Sequence, residues 1–360
     1  MRFLFVLTLL MTLLLTLLAQ TCHAAPAFAP VTPGRTLSFP ADFGAHPEFK
    51  TEWWYVTGWL KKADGKPMGF QVTFFRSATG QGKGNPSAFA ARQLIIGHAA
   101  LSDPALGKLA HDQRSAREGF GLAYSKAGNT DIKLEDWRMQ RGADGKYRVS
   151  VKSAELNYEL TLAPTQPVLL QGERGFSRKG ANPVHASYYY SEPHLFVTGT
   201  ASHGKAAPEA VEGTAWLDHE WSSGFDPTAV GWDWVGANLA DGSSLMAFQI
   251  RDKQGDKLWA HATLRDGAGK VIQFEPAQVS FTPQARWKSP RTNASYPVAT
   301  TIVTGGISWQ ITPLQQDQEL DSRRSVGAVY WEGAVTVKRD GVPAGQGYLE
   351  LVGYERPMKL

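Results

Sequence analysis

The densest meeting of chemistry-bearing side chains is Ala215-Trp-Leu-Asp-His-Glu-Trp-Ser-Ser-Gly224, followed by Gly231-Trp-Asp-Trp-Val235. On an extended strand of period two, Leu217, His219 and Trp221 share one face, and Trp216, Asp218 and Glu220 share the other. An imidazole and an indole then point together. His219 can act as a general acid or base beside an apolar or cation-stabilising wall of Trp221, with Asp218 and Glu220 supporting charge. Either the imidazole or the carboxylates face inward. The same residues also fit a satisfied core histidine within a packing cluster at a domain junction.

Two further clusters and a lone histidine complete the candidates. In His46-Pro-Glu-Phe-Lys-Thr-Glu-Trp-Trp-Tyr55, Trp53 and Tyr55 share a face opposite Glu52 and Trp54. A carboxylate buried among aromatics must be hydrogen-bonded or paired, so Glu52 reads either as a catalytic group or as the partner of Arg76 or Arg251. In Ala186-Ser-Tyr-Tyr-Tyr-Ser-Glu-Pro-His194, Tyr188 and Tyr190 share a face, where their hydroxyls can line a polar spot or mark an amphipathic surface strand. His98 sits in an apolar run, Ile95–Leu101, as an interior histidine or a ligand contact. With Trp232 and Trp234, these residues make up the expected ligand wall.

Several chemistries lose support. The sequence has no GxxxxGK[ST], no GxGxxG after a strand, no HExxH, no GxSxG and no CxxC. Its nine histidines show no metal-ligand spacing, so no metal site and no cofactor are expected. Lys and Arg are dispersed, and a net charge of +4 is too small to imply a nucleic-acid partner.

The elements that must position these groups read as strands. Of 360 residues, 11% are aromatic and only 19% charged, which rules out a disordered chain or a coiled coil. Short apolar or alternating runs lie between turns such as Asp64-Gly65, Asp144-Gly145, Asp241-Gly242 and Asp340-Gly341, the signature of hairpins. Only Pro104–Gly119 hints at a helical period. A repeat is visible as well. Trp54–Leu60 followed by Ala63–Gln71 returns as Trp232–Leu239 followed by Ala240–Gln249, and each copy ends in an arginine, Arg76 or Arg251. Gly199, Gly213 and Leu217 recur at a constant offset as Gly333, Gly347 and Leu351. The expected organisation is a signal peptide over 1–24 and two related β domains, 25–224 and 225–360.

The leader has one early charge, Arg2, an apolar run from Phe3 to Leu18, and Cys22-His-Ala-Ala-Pro26. It is too short to span a membrane and fits a cleaved export signal, cut after Ala24, so the mature protein is expected in the periplasm or outside the cell, without stable membrane insertion.

The segments also resemble a known family. Phe39-Pro-Ala-Asp-Phe-Gly-Ala-His-Pro-Glu-Phe-Lys-Thr-Glu-Trp-Trp-Tyr-Val-Thr-Gly58, Trp216–Ser223, Gly231–Trp234 and Gly345–Tyr354 are similar to the AttH-like, carotenoid hydratase-related family of predicted secreted hydrolases. That resemblance implies an all-β protein of two lipocalin-like antiparallel barrels with an apolar small-molecule cavity, and fungal pericyclase-type cyclases look like more distant cousins. In the hydratases a His-x-Trp pair, matching His219 and Trp221, is thought to work with a Tyr and an Asp further along. The corresponding stretch here, Ser244–Ile250, contains neither. The leading expectation is an exported carrier or binding protein for a lipid- or isoprenoid-like molecule in a lipocalin-like cavity. The alternative is a lyase, hydratase, isomerase or hydrolase with His219 as acid/base. A third reading makes it an accessory of an export or transport system.

Overall fold

The computed structural model describes residues 28–81 and 85–358; the expected signal peptide, including Cys22, lies outside them. The alternating runs fold as antiparallel strands. Thirteen strands between Thr51 and Ser222 form one sheet and ten strands between Gly231 and Leu351 form a second, each curled into a barrel-like layer. No helix among the described residues is long and apolar enough to cross a membrane.

The repeat has a structural counterpart. Thr51–Lys62 lies between Pro67–Ala78 and Glu209–Ser222, and Gly231–Leu239 lies between Ser244–Arg251 and Val342–Leu351. Each sheet thus opens on a meander and returns its last strand to its first. Glu52 pairs with Arg76 across the first ladder and Gly231 with Arg251 across the second, which aligns Val56 with Val235. Val56 then faces Leu217 and Val235 faces Leu349. The ladders therefore match Leu217 to Leu349, two residues before the Leu351 suggested by the sequence offset; period two keeps all three facing inward.

Pro104–Gly119 is not helical. Asp103 caps a single 3-10 turn, Pro104–Leu106, which ends at Gly107 with φ +65°. The strand Ala110–Arg117 follows. A left-handed residue so early stops helical propagation.

The strand Thr51–Lys62 is buried on both faces. Trp54, Val56 and Leu60 point into the first barrel, while Tyr55 and Trp59 point into a separate apolar layer shared with Trp216, Trp234, Met246, Phe248 and Tyr348. That layer joins the outer faces of the two sheets. At Gly69 the barrels approach so closely that a Cβ would come within 2.7 Å of the Ala334 methyl and 3.0 Å of the Tyr348 hydroxyl. Trp59 Nε1 donates across the seam to Gly347 O at 2.9 Å. Both interiors are filled by large side chains, Trp54, Trp137, Trp221, Tyr147, Tyr158 and Tyr190 in the first and Trp309, Trp331 and Tyr296 in the second. Truncating one such aromatic costs about 3–5 kcal/mol.

Candidate functional site

The alternation in 216–221 is realised: His219 and Trp221 turn into the first barrel, and Trp216, Asp218 and Glu220 turn toward the second. The two groups meet different surroundings.

His219 is fully buried. Its Nε2 lies 2.8 Å from Glu52 Oε1 and its Nδ1 lies 3.0 Å from the Tyr190 hydroxyl, and the ring stacks on Trp54 at 4.5 Å. Glu52 also meets His46 Nδ1 at 2.7 Å, the His46 backbone N–H at 2.9 Å, and Arg76 Nε at 2.7 Å. His46 continues the chain to Asp42 at 2.9 Å and lies flat on Trp221, with centroids 3.8 Å apart. Arg35 closes it, donating to Asp42 at 2.8 Å.

The protons follow from the partners. His46 faces a carboxylate at each ring nitrogen, so both must carry hydrogen: burial works to lower its pKa, but hydrogen bonds to Asp42 and Glu52 raise it. Burial brings His219 down to about 4, against the pull of Glu52, so it is neutral, donating from Nε2 and accepting from Tyr190. Burial would raise Glu52, but the hydrogen bonds from His219 and His46 win and hold it well below the usual carboxylate range. Of the two expected partners of Glu52, Arg76 is the real one; Arg251 pairs with Asp233.

His46, Glu52 and His219 also bring three potential metal-ligand atoms within 4.8 Å of one another, a convergence their sequence spacing did not announce. In the structure each of these atoms is engaged by another protein group, and Arg76 sets a positive charge against the carboxylate. The cluster is a saturated hydrogen-bond network that ties the segment before Thr51 into the barrel end.

A cavity lies between the two barrels, whereas the family resemblance led to one being expected inside a barrel. It measures about 330 Å³ and has walls of Trp53, Tyr55 and Phe75 from one sheet, and Trp232, Trp234 and Phe248 from the other. The physical reason is packing: aromatic side chains fill the interiors, while the curved outer faces cannot mesh everywhere. A second cavity of about 240 Å³, beside Trp59, Trp216 and Tyr348, lies on the same seam.

Asp218, Glu220 and Glu350 line the larger cavity. Asp218 accepts from the Tyr189 hydroxyl at 2.6 Å, the Ser191 hydroxyl at 2.5 Å and Trp216 Nε1 at 2.6 Å, yet burial raises its pKa to about 7. Burial likewise brings Glu350 to about 7, although Trp232 Nε1 donates to it at 2.7 Å. Lys179 Nζ pairs with Glu220 at 2.9 Å. Behind the wall, burial and then the neighbouring Glu350 push Glu332 far above its ordinary value.

Of the expected ligand wall, Trp53, Tyr55, Trp232 and Trp234 line the cavity, with Glu52 and His98 at its edge. Trp54, Trp221, Tyr188 and Tyr190 do not; they lie in the first barrel's core, where Tyr188 exchanges hydrogen bonds with the Thr32 backbone at 3.0 and 2.9 Å. His98 stitches the sheets together, 2.8 Å from both the Tyr330 and Ser325 hydroxyls, and burial lowers it to about 3. Lys179, Tyr189 and Glu350 escaped the sequence reading. A lone carboxylate in the apolar run Tyr348-Leu-Glu-Leu-Val352 was the available signal for the last.

The profile of the AttH-like family matches residues 30–354. The chain belongs to the AttH-like family. Among solved structures, a Nitrosomonas europaea protein assigned to AttH is 60% identical, with 91% of this chain and 99% of that one covered and a TM-score of 0.86. Kievitone hydratase from Nectria haematococca is 12% identical, with 91% and 96% covered and a TM-score of 0.70. CghA with Sch210972 is 14% identical, with 84% and 88% covered and a TM-score of 0.51. The last two share the fold with this AttH-like chain. No curated protein matches it.

Proposed function

We propose that this AttH-like protein binds an apolar small molecule in the cavity between its barrels, as an exported carrier or binding protein. One observation carries the reading: about 330 Å³ of space walled by Trp53, Trp232, Trp234, Phe225, Phe248 and Ile250, with a few polar tips, while both interiors are packed. Ligand sites of this volume and lining are usual between structural units. The export signal expected over 1–24 would place such a carrier where it can take up a greasy molecule outside the cytoplasm.

A second reading, catalysis on the same molecule, draws on Asp218 and Glu350. Both retain protons up to about pH 7 inside the cavity and so can donate one to a bound substrate. One structural neighbour is named as a hydratase, which accords with such chemistry. His219, 2.8 Å from Glu52 and fully buried, would then position Glu52 at the cavity edge without meeting the substrate.

Ala229 lines the cavity from a loop, so Ala229→Phe fills the space without opening either barrel. Native mass spectrometry of protein from its own host, with tryptophan fluorescence titrations of alkyl ligands, tests the reading. Wild type should carry or take up ligand and the filled variant should lose it. Equal uptake by both, or uptake by neither, would remove the cavity from the function.

A further inference from the structure

We infer that the molecule held between the barrels carries a cationic amine, whose ammonium sits between Asp218 and Glu350 under the aromatic walls. This rests on the cavity being the ligand site and adds the chemistry of the ligand's polar end.

The cavity lining carries unbalanced charge: the carboxyls of Glu52, Asp218, Glu220, Asp226 and Glu350 against the cations Lys50, Arg76 and Lys179. Glu52 is matched by Arg76 and Glu220 by Lys179. Asp226, at the rim, has His185 at 3.4 Å and bonds from Thr228. Asp218 and Glu350 form no ion pair among the described residues, and both face the same enclosed space. Glu332 stands directly across the ladder from Glu350 and is 2% exposed. Neither of its oxygens makes a well-formed hydrogen bond among the described residues, although the Tyr55 and Tyr330 hydroxyls are its neighbours. The Tyr55 hydroxyl, on a side chain that lines the cavity, is also buried and unpartnered. Carboxyl groups so placed repel one another when ionised and hold protons near neutral pH; an entering ammonium releases those protons and supplies the balancing positive charge, which a neutral or anionic head cannot do.

The wall already shows how it holds an ammonium. Lys179 Nζ sits 4.3 Å from the Phe248 ring centroid and 4.8 Å from that of Tyr189, while paired with Glu220. Trp53 and Trp232 offer further indole surface beside the unpaired carboxyls. His98 brings no competing charge, since burial keeps it neutral. An alkyl chain would lie along Phe75, Phe225 and Ile250.

Isothermal titration calorimetry with octylamine, octanol and octanoic acid at one neutral pH separates the possibilities. Octylammonium should bind at least tenfold more tightly than octanol, with octanoate the weakest. Glu350→Gln and Asp218→Asn should each remove most of the amine's advantage over octanol measured on the same variant. Equal binding of amine and alcohol to wild type would overturn the inference while leaving the cavity as an apolar site. Binding of none of the three would overturn both. An amine preference that survives both substitutions in folded protein would move the cation elsewhere and overturn it as well.

Discussion

The two barrels place different chemistry at equivalent positions. In the first, Glu52, Arg76, Trp54, His219 and Tyr190 meet at the inner wall; the ladders set Gly231, Arg251, Asp233, Leu351 and Trp331 at the corresponding places in the second. The arginine stays and its acid moves two residues along the strand. Asp233 meets Arg251 at 3.1 Å, the Tyr354 hydroxyl at 2.9 Å and Gln249 at 2.6 Å, a compact ion pair without histidine. Such a barrel end needs a paired arginine and does not need an imidazole. What the histidines add in the first barrel is a link to Asp42 and Arg35, and so to the segment that precedes the first strand.

The largest effect should come from breaking the longer network. Glu52→Ala takes the anion from the Arg76 guanidinium, which keeps only the Gln93 side chain and Phe49 O, and also removes one of the two carboxylates around His46 and the acceptor of His219, at a cost of about 3–5 kcal/mol. Asp233→Ala strands a single arginine that still donates to Val352 O at 2.6 Å and lies over the Tyr354 ring. Its cost should sit at the low end, about 3 kcal/mol. Urea unfolding of the two variants decides; equal losses would erase the distinction between the barrel ends.

Next in size is the pH dependence, where interior and seam carboxyls should act with opposite sign. The folded pKa of Glu52 is depressed, so its stabilisation is present above about pH 4.5 and is lost as pH falls below that value. Glu350 is raised from 4.5 to about 7, so between those values the folded chain keeps a proton that the unfolded chain releases. Its contribution is present below 4.5 and is lost as pH rises toward 7. Stability measured against pH should therefore show the wild type's margin over Glu350→Gln shrinking on the alkaline side. A margin that grows with pH would mean that Glu350 is ionised in the fold.

Period two makes part of the site legible in the sequence. Alternation correctly grouped His219 with Trp221 and Asp218 with Glu220, and the demand that a buried carboxylate be paired narrowed the partner of Glu52 to Arg76 or Arg251, of which the fold uses Arg76. It could not say which face held the cavity, because strands such as Thr51–Lys62 are buried on both sides and carry aromatics on both. The expected ligand wall therefore draws aromatics from both faces, and Trp54, Tyr188, Tyr190 and Trp221 belong to the one that fills the first barrel and does not line the cavity between the barrels. His46 and Asp42 were invisible for another reason. They lie outside the strands, where no periodicity applies, and only the folded chain brings them to Glu52.

Transplanting the second barrel's residue sharpens the comparison at moderate cost. His219→Leu deprives Glu52 of one donor and the Tyr190 hydroxyl of its acceptor, for a loss of about 2 kcal/mol. Alkyl-ligand affinity should stay within about twofold, since the imidazole does not line the cavity. A folded variant that has lost ligand binding would show that the interior network reaches the cavity more strongly than its positioning of Glu52 implies.

The smallest expected effect tests the seam itself. Trp59→Phe keeps most of the apolar surface and removes the single hydrogen bond from Nε1 to Gly347 O, which joins the first strand of one barrel to the last strand of the other. The carbonyl it abandons is buried, so the loss should be about 1 kcal/mol. Its location makes so small a loss informative. Trp59 borders the second seam cavity, on the outer face away from the Glu52 network, so the barrel interiors should not respond. If the two barrels unfold as one unit, the midpoint shifts and the transition stays single. If they unfold separately, the substitution splits the transition, because it weakens the joint and spares both interiors. Two transitions would mean that the aromatic layer and the hydrogen bonds across it, among them His98 to Tyr330 and Trp234 to Tyr189, couple the barrels too weakly to make them one unit, so that ligand uptake can proceed by the barrels parting.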